Sequence, residues 1–155
     1  MTPVRHILVA IDFTPTSTRV LEFARMIADA SGASLHLLHV LGHPLTDPER
    51  LPHQRREVCE RLATLLDDCD RHWRHATVSC TVGTPAHDIA EYAARNDVDL
   101  VVMGTHAHGP AFRMVTGSIA DVVIGSAPCA VLAVKGDEGP APETVFDSLA
   151  AVTSA

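Results

Sequence analysis

Two hydrophobic patterns alternate along the chain from residue 5 to residue 135. Five short segments are strand-like: HILVAID (6–12), ASLHLLHVL (33–41), TVSCTVG (77–83), DLVVMGT (99–105) and AVLAVK (130–135). The first, fourth and fifth are nearly unbroken runs of Val, Ile, Leu and Ala, as expected of parallel strands covered on both faces. The segments between them repeat their apolar positions at helical spacing. TPTSTRVLEFARMIADASG places Val20, Phe23, Ala24 and Ile27 on one face, with Thr14 as N-cap, Pro15 in the first turn and Gly32 just past the end. Residues near 50–75 carry Val58, Leu62, Leu65, Cys69 and Trp73 at steps of three or four, which predicts one long amphipathic helix. Thr84 and Pro85 start a third helix bearing Ile89, Tyr92 and Ala93, and a last one is expected from about Thr116 to Ser126, ahead of Pro128.

Five strands therefore alternate with four helices. That order predicts an α/β fold: an open, doubly wound, five-stranded parallel sheet of order 3-2-1-4-5 with helices on both faces. In such sheets a ligand sits beyond the carboxyl ends of the strands, where the strand order reverses. Here the reversal lies between strands 1 and 4, so AIDFT (10–14) and MGTHAHG (103–109) face one crevice. Residues 1–136 make one domain; GDEGPAPE and the short amphipathic stretch after it leave 137–155 as linker and tail. No internal repeat is present.

Composition narrows the partners. With 46% hydrophobic and 20% charged residues over 155 positions, the chain has an ordinary globular make-up. No stretch approaches the roughly 18 apolar residues of a membrane span. The N-terminus runs into a strand without the features of a secretory signal, and a cytoplasmic location is expected. Cys59, Cys69, Cys80 and Cys129 are widely spaced, which predicts buried free thiols rather than disulfides or a zinc knuckle. A net charge of −7 disfavours nucleic acid and anionic membranes as partners. Lys135 is the one lysine, so positive charge for a ligand has to come from arginine, histidine, a metal ion or backbone amides.

Asp12 ends an apolar strand ahead of a helix. It fits either a hydrogen bond to a ribose hydroxyl or a metal-bound water, or a turn residue satisfying nearby amides. Gly104 permits close backbone approach, and Gly117-Ser118 opens a helix whose free amides favour an anion. Spaced glycines alone fit a hinge as well as a phosphate cradle, and the P-loop pattern is absent. His106 and His108 form an H-x-H pair with no third ligand at an evident spacing, so no metal is assigned there. Asp68, His72 and His75 fall near a helix C-terminus, where histidine favours the dipole without any metal.

HILVAIDFT, LLHV, VGTPAHDIAEYA, DLVVMGTHAHG and GSIADVVIGSAPCAVLAVK, in this order and spacing, resemble the universal stress protein family over about residues 4–135. The resemblance implies the five-stranded sheet already argued and, for many members, ATP held by a G-x-x-G, nine-residue, G-[ST] loop; other members lack the loop and do not bind it. Carried over, it places Ala10 and Asp12 against the adenosine, Val40 at the adenine, Met103 and Gly104 at the start of the loop, and Gly117, Ser118 and Ile119 on the phosphates. Ala107 stands where the pattern has its second glycine, and Arg113 is the one fixed positive side chain in the spacer. The implied function is an ATP-binding regulatory module, using ATP with Mg²⁺, and a homodimer paired through the last strand (130–135). No catalytic group is evident. The alternatives are a slow ATPase, or a dimeric interaction protein whose loop has degenerated at Ala107.

Overall fold

The computed structural model describes residues 3–42, 48–105 and 119–136. In chain order the elements are β1 (His6–Ala10), α1 (Thr16–Ser31), β2 (Ser34–Gly42), α2 (Leu51–Thr64), α3 (Asp68–His72), β3 (Thr77–Gly83), α4 (Pro85–Arg95), β4 (Leu100–Thr105), α5 (Ile119–Ser126) and β5 (Ala130–Lys135). All five strands run parallel in one sheet of order β3-β2-β1-β4-β5, the predicted order.

The unbroken apolar runs of β1 and β4 have the cause inferred from them. Leu8, Val9, Val101 and Val102 are wholly buried because both sheet faces are covered. On one face Ile7, Val9, Leu35 and Leu37 pack with Val20, Leu21 and Ala24 of α1 and Leu62 of α2. On the other, Leu8, Leu38 and Met103 meet Ile89 and Ala93 of α4 and Val123 of α5.

Helix ends follow the local chemistry, with two departures from expectation. α1 closes at Gly32, whose φ of +72° suits glycine and lets its amide reach the Ala28 carbonyl at 2.8 Å. At its start the cap is Pro15, already helical, rather than Thr14, because the carboxylate of Asp12 takes the amide of Thr14. α4 begins as predicted, with Thr84 extended and Pro85 in the first turn.

The larger departure lies at 50–75, where one long helix was expected and two are present. Asp67 breaks the run: its Oδ1 accepts the Asp70 amide at 2.7 Å while Asp70 Oδ2 accepts the Asp67 amide at 3.0 Å, a reciprocal cap that starts α3. The apolar stripe holds through Leu62 and Leu65 and then fails, leaving Cys69 exposed and Trp73 80% exposed. The side chain that turns inward is Asp70, with no exposure at all.

A buried carboxylate is costly unless paired. Arg25 of α1 grips Asp70 through both Nε and Nη2, and Arg74 Nη1 donates to it at 2.8 Å while also holding Asp29. Burial works to raise the Asp70 carboxyl, but the hydrogen bonds from Arg25, from the Asp67 amide and from Arg74 outweigh it and keep the group below the ordinary carboxylate range. The cysteine expectation is likewise corrected in part: all four thiols are free, but only Cys80 is buried.

Candidate functional site

The pairing register shapes the candidate site. β1 ends at Ala10, opposite Leu38 of β2 and Met103 of β4. β2 continues through His39–Gly42 alongside β3, and β4 continues through Gly104 and Thr105 alongside β5. The central strand is therefore shorter than both neighbours at the carboxyl edge. This stepped edge between β1 and β4, called the notch below, is the switch point of the strand order, the place where such sheets hold ligands.

The β1–α1 turn forms the floor of the notch. Asp12 Oδ1 accepts hydrogen bonds from the Thr14 amide at 3.1 Å, the Thr14 hydroxyl at 2.7 Å and the Ser17 hydroxyl at 2.9 Å. The turn-residue reading of Asp12 is thus realised. The side chain is also exposed, on the edge where a ligand would sit. Phe13 takes the left-handed conformation, φ 60°, which is unusual for a bulky residue. Its ring packs against His39, whose Nδ1 meets the Ile11 carbonyl at 2.7 Å, and lies 4.0 Å beneath the Arg61 guanidinium. The turn is held from β2 and α2 as well as by its own hydrogen bonds.

Ala10, Val40 and Met103, predicted from three different segments, come together in the apolar cluster on the α4 face. Gly104 lies at the β4 wall, where a Cβ would sit 3.1 Å from Thr16 Cγ2. A Cβ on Gly136 would meet Thr16 Oγ1 at 2.7 Å. The first turn of α1 is wedged against the ends of β4 and β5, so packing gives Gly104 a use separate from any ligand. Ile119, the first residue of α5, is about half exposed. Ala107, Arg113, Gly117 and Ser118, and with them His106 and His108, lie outside the described residues, as does the tail beyond 136.

The second metal candidate is not assembled. His72 Nδ1 meets the Asp68 carbonyl at 2.9 Å, and His75 lies past the helix with φ 44°. Missed by the sequence reading is a cavity of about 280 Å³ between α1 and α2, lined among others by Phe13, Thr18, Arg25, Arg61 and Thr64. A signal existed in Arg61, which shares a helix with the Leu62 anchor, but its partner Phe13 is 48 positions away in sequence (61 − 13). No helix among the described residues is long and apolar enough to cross a membrane.

Comparison with known proteins agrees with this architecture. Residues 3–135 match the Universal stress protein family. The chain is 30% identical over 141 residues to universal stress protein A homolog 1 of Coxiella burnetii, covering 84% of this chain and 95% of that one. Among solved structures, a universal stress protein in complex with cAMP superposes with a TM-score of 0.64 at 22% identity, covering 86% of this chain and 98% of the other. The universal stress protein from Archaeoglobus fulgidus in complex with dAMP gives 0.62 at 25% identity, covering 86% and 100%. The chain belongs to the universal stress protein family.

Proposed function

We propose that the notch at the carboxyl edge of β1 and β4 binds an adenine nucleotide, ATP with Mg²⁺, and that the protein acts as a nucleotide-responsive regulatory module of the cytoplasm. The observation that carries this reading is the short central strand: β1 stops at Ala10 while β2 and β4 continue past it, with the exposed carboxylate of Asp12 just beyond its end at the switch point. Asp12, an exposed carboxylate just past the end of β1, is of the chemical type that accepts hydrogen bonds from ribose hydroxyls. The half-buried Ala10 and Val40, with Met103 buried in the same cluster, give an apolar edge that suits the face of a purine. The dAMP bound by the relative from Archaeoglobus fulgidus supports the same ligand class.

The polyphosphate would be held by Gly117, Ser118 and Ile119, with Arg113 as the side-chain cation and Ala107 as the imperfect position. What the group supplies when bound is a charged, ordering ligand; hydrolysis is not part of the proposal. Calorimetric titration with AMP, ADP and Mg-ATP tests it. Micromolar binding of at least one nucleotide is expected, and absence of heat with all three would leave the dimeric interaction module as the reading.

A homodimer through β5 belongs to the same proposal. β5 is an edge strand, an unpaired ladder that invites a second strand. Beside it α5 exposes Val122 and Ile124, each about half accessible. A second copy covering this patch accounts for both features, and sedimentation at micromolar concentration should show a dimer.

A further inference from the structure

The first two turns of α4 bring three metal-ligand types to one point, away from the notch. The ligand atoms of His87, Asp88 and Glu91 all lie within 4.8 Å of one another. His87 Nδ1 and Glu91 Oε2 are 4.0 Å apart, the spacing of an i,i+4 pair on one helix face. We propose that these three side chains form a binding site for a divalent first-row transition ion of the Zn²⁺, Co²⁺ or Ni²⁺ type.

Each donor is set by a different local feature. Asp88 is the neighbour for which Gly83 makes room: a Cβ on Gly83 would stand 2.3 Å from Asp88 Oδ2, so the carboxylate can occupy the end of β3 only because that position is glycine. Glu91 is oriented from its far side by Arg95, whose Nη2 donates to Oε1 at 2.5 Å and leaves Oε2 as the atom nearest His87. An outer partner that fixes one carboxylate oxygen while the other faces a common centre is the usual support of a metal ligand. His87 is 75% exposed, so its ring turns without repacking the core.

The donor set decides the class of ion. One imidazole nitrogen and two carboxylates suit borderline ions better than Ca²⁺ or Mg²⁺, which prefer all-oxygen shells. Two carboxylates also match a dication in charge. Donors around one tetrahedral zinc stand about 3.4 Å apart, given bonds of about 2.1 Å. Closing from 4.8 Å takes only side-chain rotation, and water completes the shell. The ion would sit on α4 beside the end of β3, where Asp88 lies against Gly83.

The test is titration of the metal-stripped, untagged full-length protein with Co²⁺, followed by visible absorption, and with Zn²⁺ by calorimetry. One site of micromolar affinity is expected, weakened at least tenfold in His87→Ala and in Glu91→Gln, and unchanged in a His106→Ala/His108→Ala double variant. Gly83→Ala should weaken it too, by displacing Asp88. Both His87 and Glu91 sit at the helix surface, so far-UV circular dichroism should match the wild type. Unaltered affinity in His87→Ala, loss of the site in the double histidine variant, a thiolate charge-transfer band, or no binding tighter than millimolar would overturn the assignment. Nucleotide plays no part in the readout, so the result stands apart from the fate of the notch.

Discussion

The Ser17 hydroxyl donates to Asp12 Oδ1 across 2.9 Å, joining the first turn of α1 to the turn that follows β1. Ser17 is 8% exposed, a buried polar side chain whose hydrogen bond is this carboxylate. Asp12 is thereby oriented before any ligand arrives. Replacing Ser17 with Ala should lower stability by about 1 kcal/mol, the net worth of one such bond. It should also weaken nucleotide binding several-fold, because Asp12 loses one of the donors that aim it. Urea midpoints and calorimetry on the same preparation check the two effects.

Asp70→Asn attacks the buried ion cluster. The carboxylate is wholly buried between Arg25 and Arg74, which are themselves only partly exposed. Breaking a buried pair leaves a charge uncompensated, and about 3 kcal/mol of destabilisation is expected, toward the low end because both arginines reach solvent. The native carboxyl titrates below its ordinary value of 3.8, so its contribution is complete above that pH and fades as acid carries the solution through the depressed value. The wild type should lose stability steeply below about pH 4, and the asparagine variant should lose less over the same interval.

His36 sets a second pH dependence with the opposite chemistry. Burial, and then the neighbouring His6 ring 5.7 Å away, push it below its ordinary 6.5. Its Nδ1 meets the Tyr92 hydroxyl of α4, which in turn lies 3.4 Å from Ser79 of β3. A histidine that resists protonation when folded favours the native state above pH 6.5 and penalises it as the pH falls below that value. His36→Gln should flatten the decline in thermal midpoint between about pH 6.5 and 5. An unchanged slope would place the proton uptake elsewhere.

Much of this was legible in sequence, and the failures have a physical pattern. The apolar runs of β1 and β4 located their strands within two residues, because burial on both faces leaves little choice of side chain; β5 was located as well, although as the edge strand it buries only Val134. Their alternation with helices pointed to a parallel sheet, and winding outward from β1 in both directions gives the observed order. Ala10, Val40 and Met103, which the family resemblance assigns to the site, share one apolar cluster. Periodicity misled at 50–75, where Cys69 and Trp73 continue the apolar step but Asp67 and Asp70 cap a new helix. Apolar spacing registers residues that favour burial and is blind to an aspartate buried by two arginines distant in sequence. The hold of Arg61 on Phe13 was invisible for the same reason, since it depends on packing between α1 and α2.

Exposure and burial also order the thiols. Cys69 stands open at α3, whereas burial pushes the Cys80 and Cys129 thiols up, which lowers their thiolate fraction at neutral pH. Alkylation of the native protein at pH 8, read by peptide mass mapping, should modify Cys69 first and Cys80 last. Equal rates would mean that β3 opens faster than the reagent reacts.

The central claim is that an adenine nucleotide occupies the notch left by the short β1. Amide chemical-shift mapping during a Mg-ATP titration addresses it directly, residue by residue. The account predicts that the largest shifts fall on Ile11–Thr14, Val40 and Met103–Thr105, with little change along β3. No shifts at saturating nucleotide, or shifts centred on Thr18, Arg25 and Arg61 in the groove between α1 and α2, would contradict it.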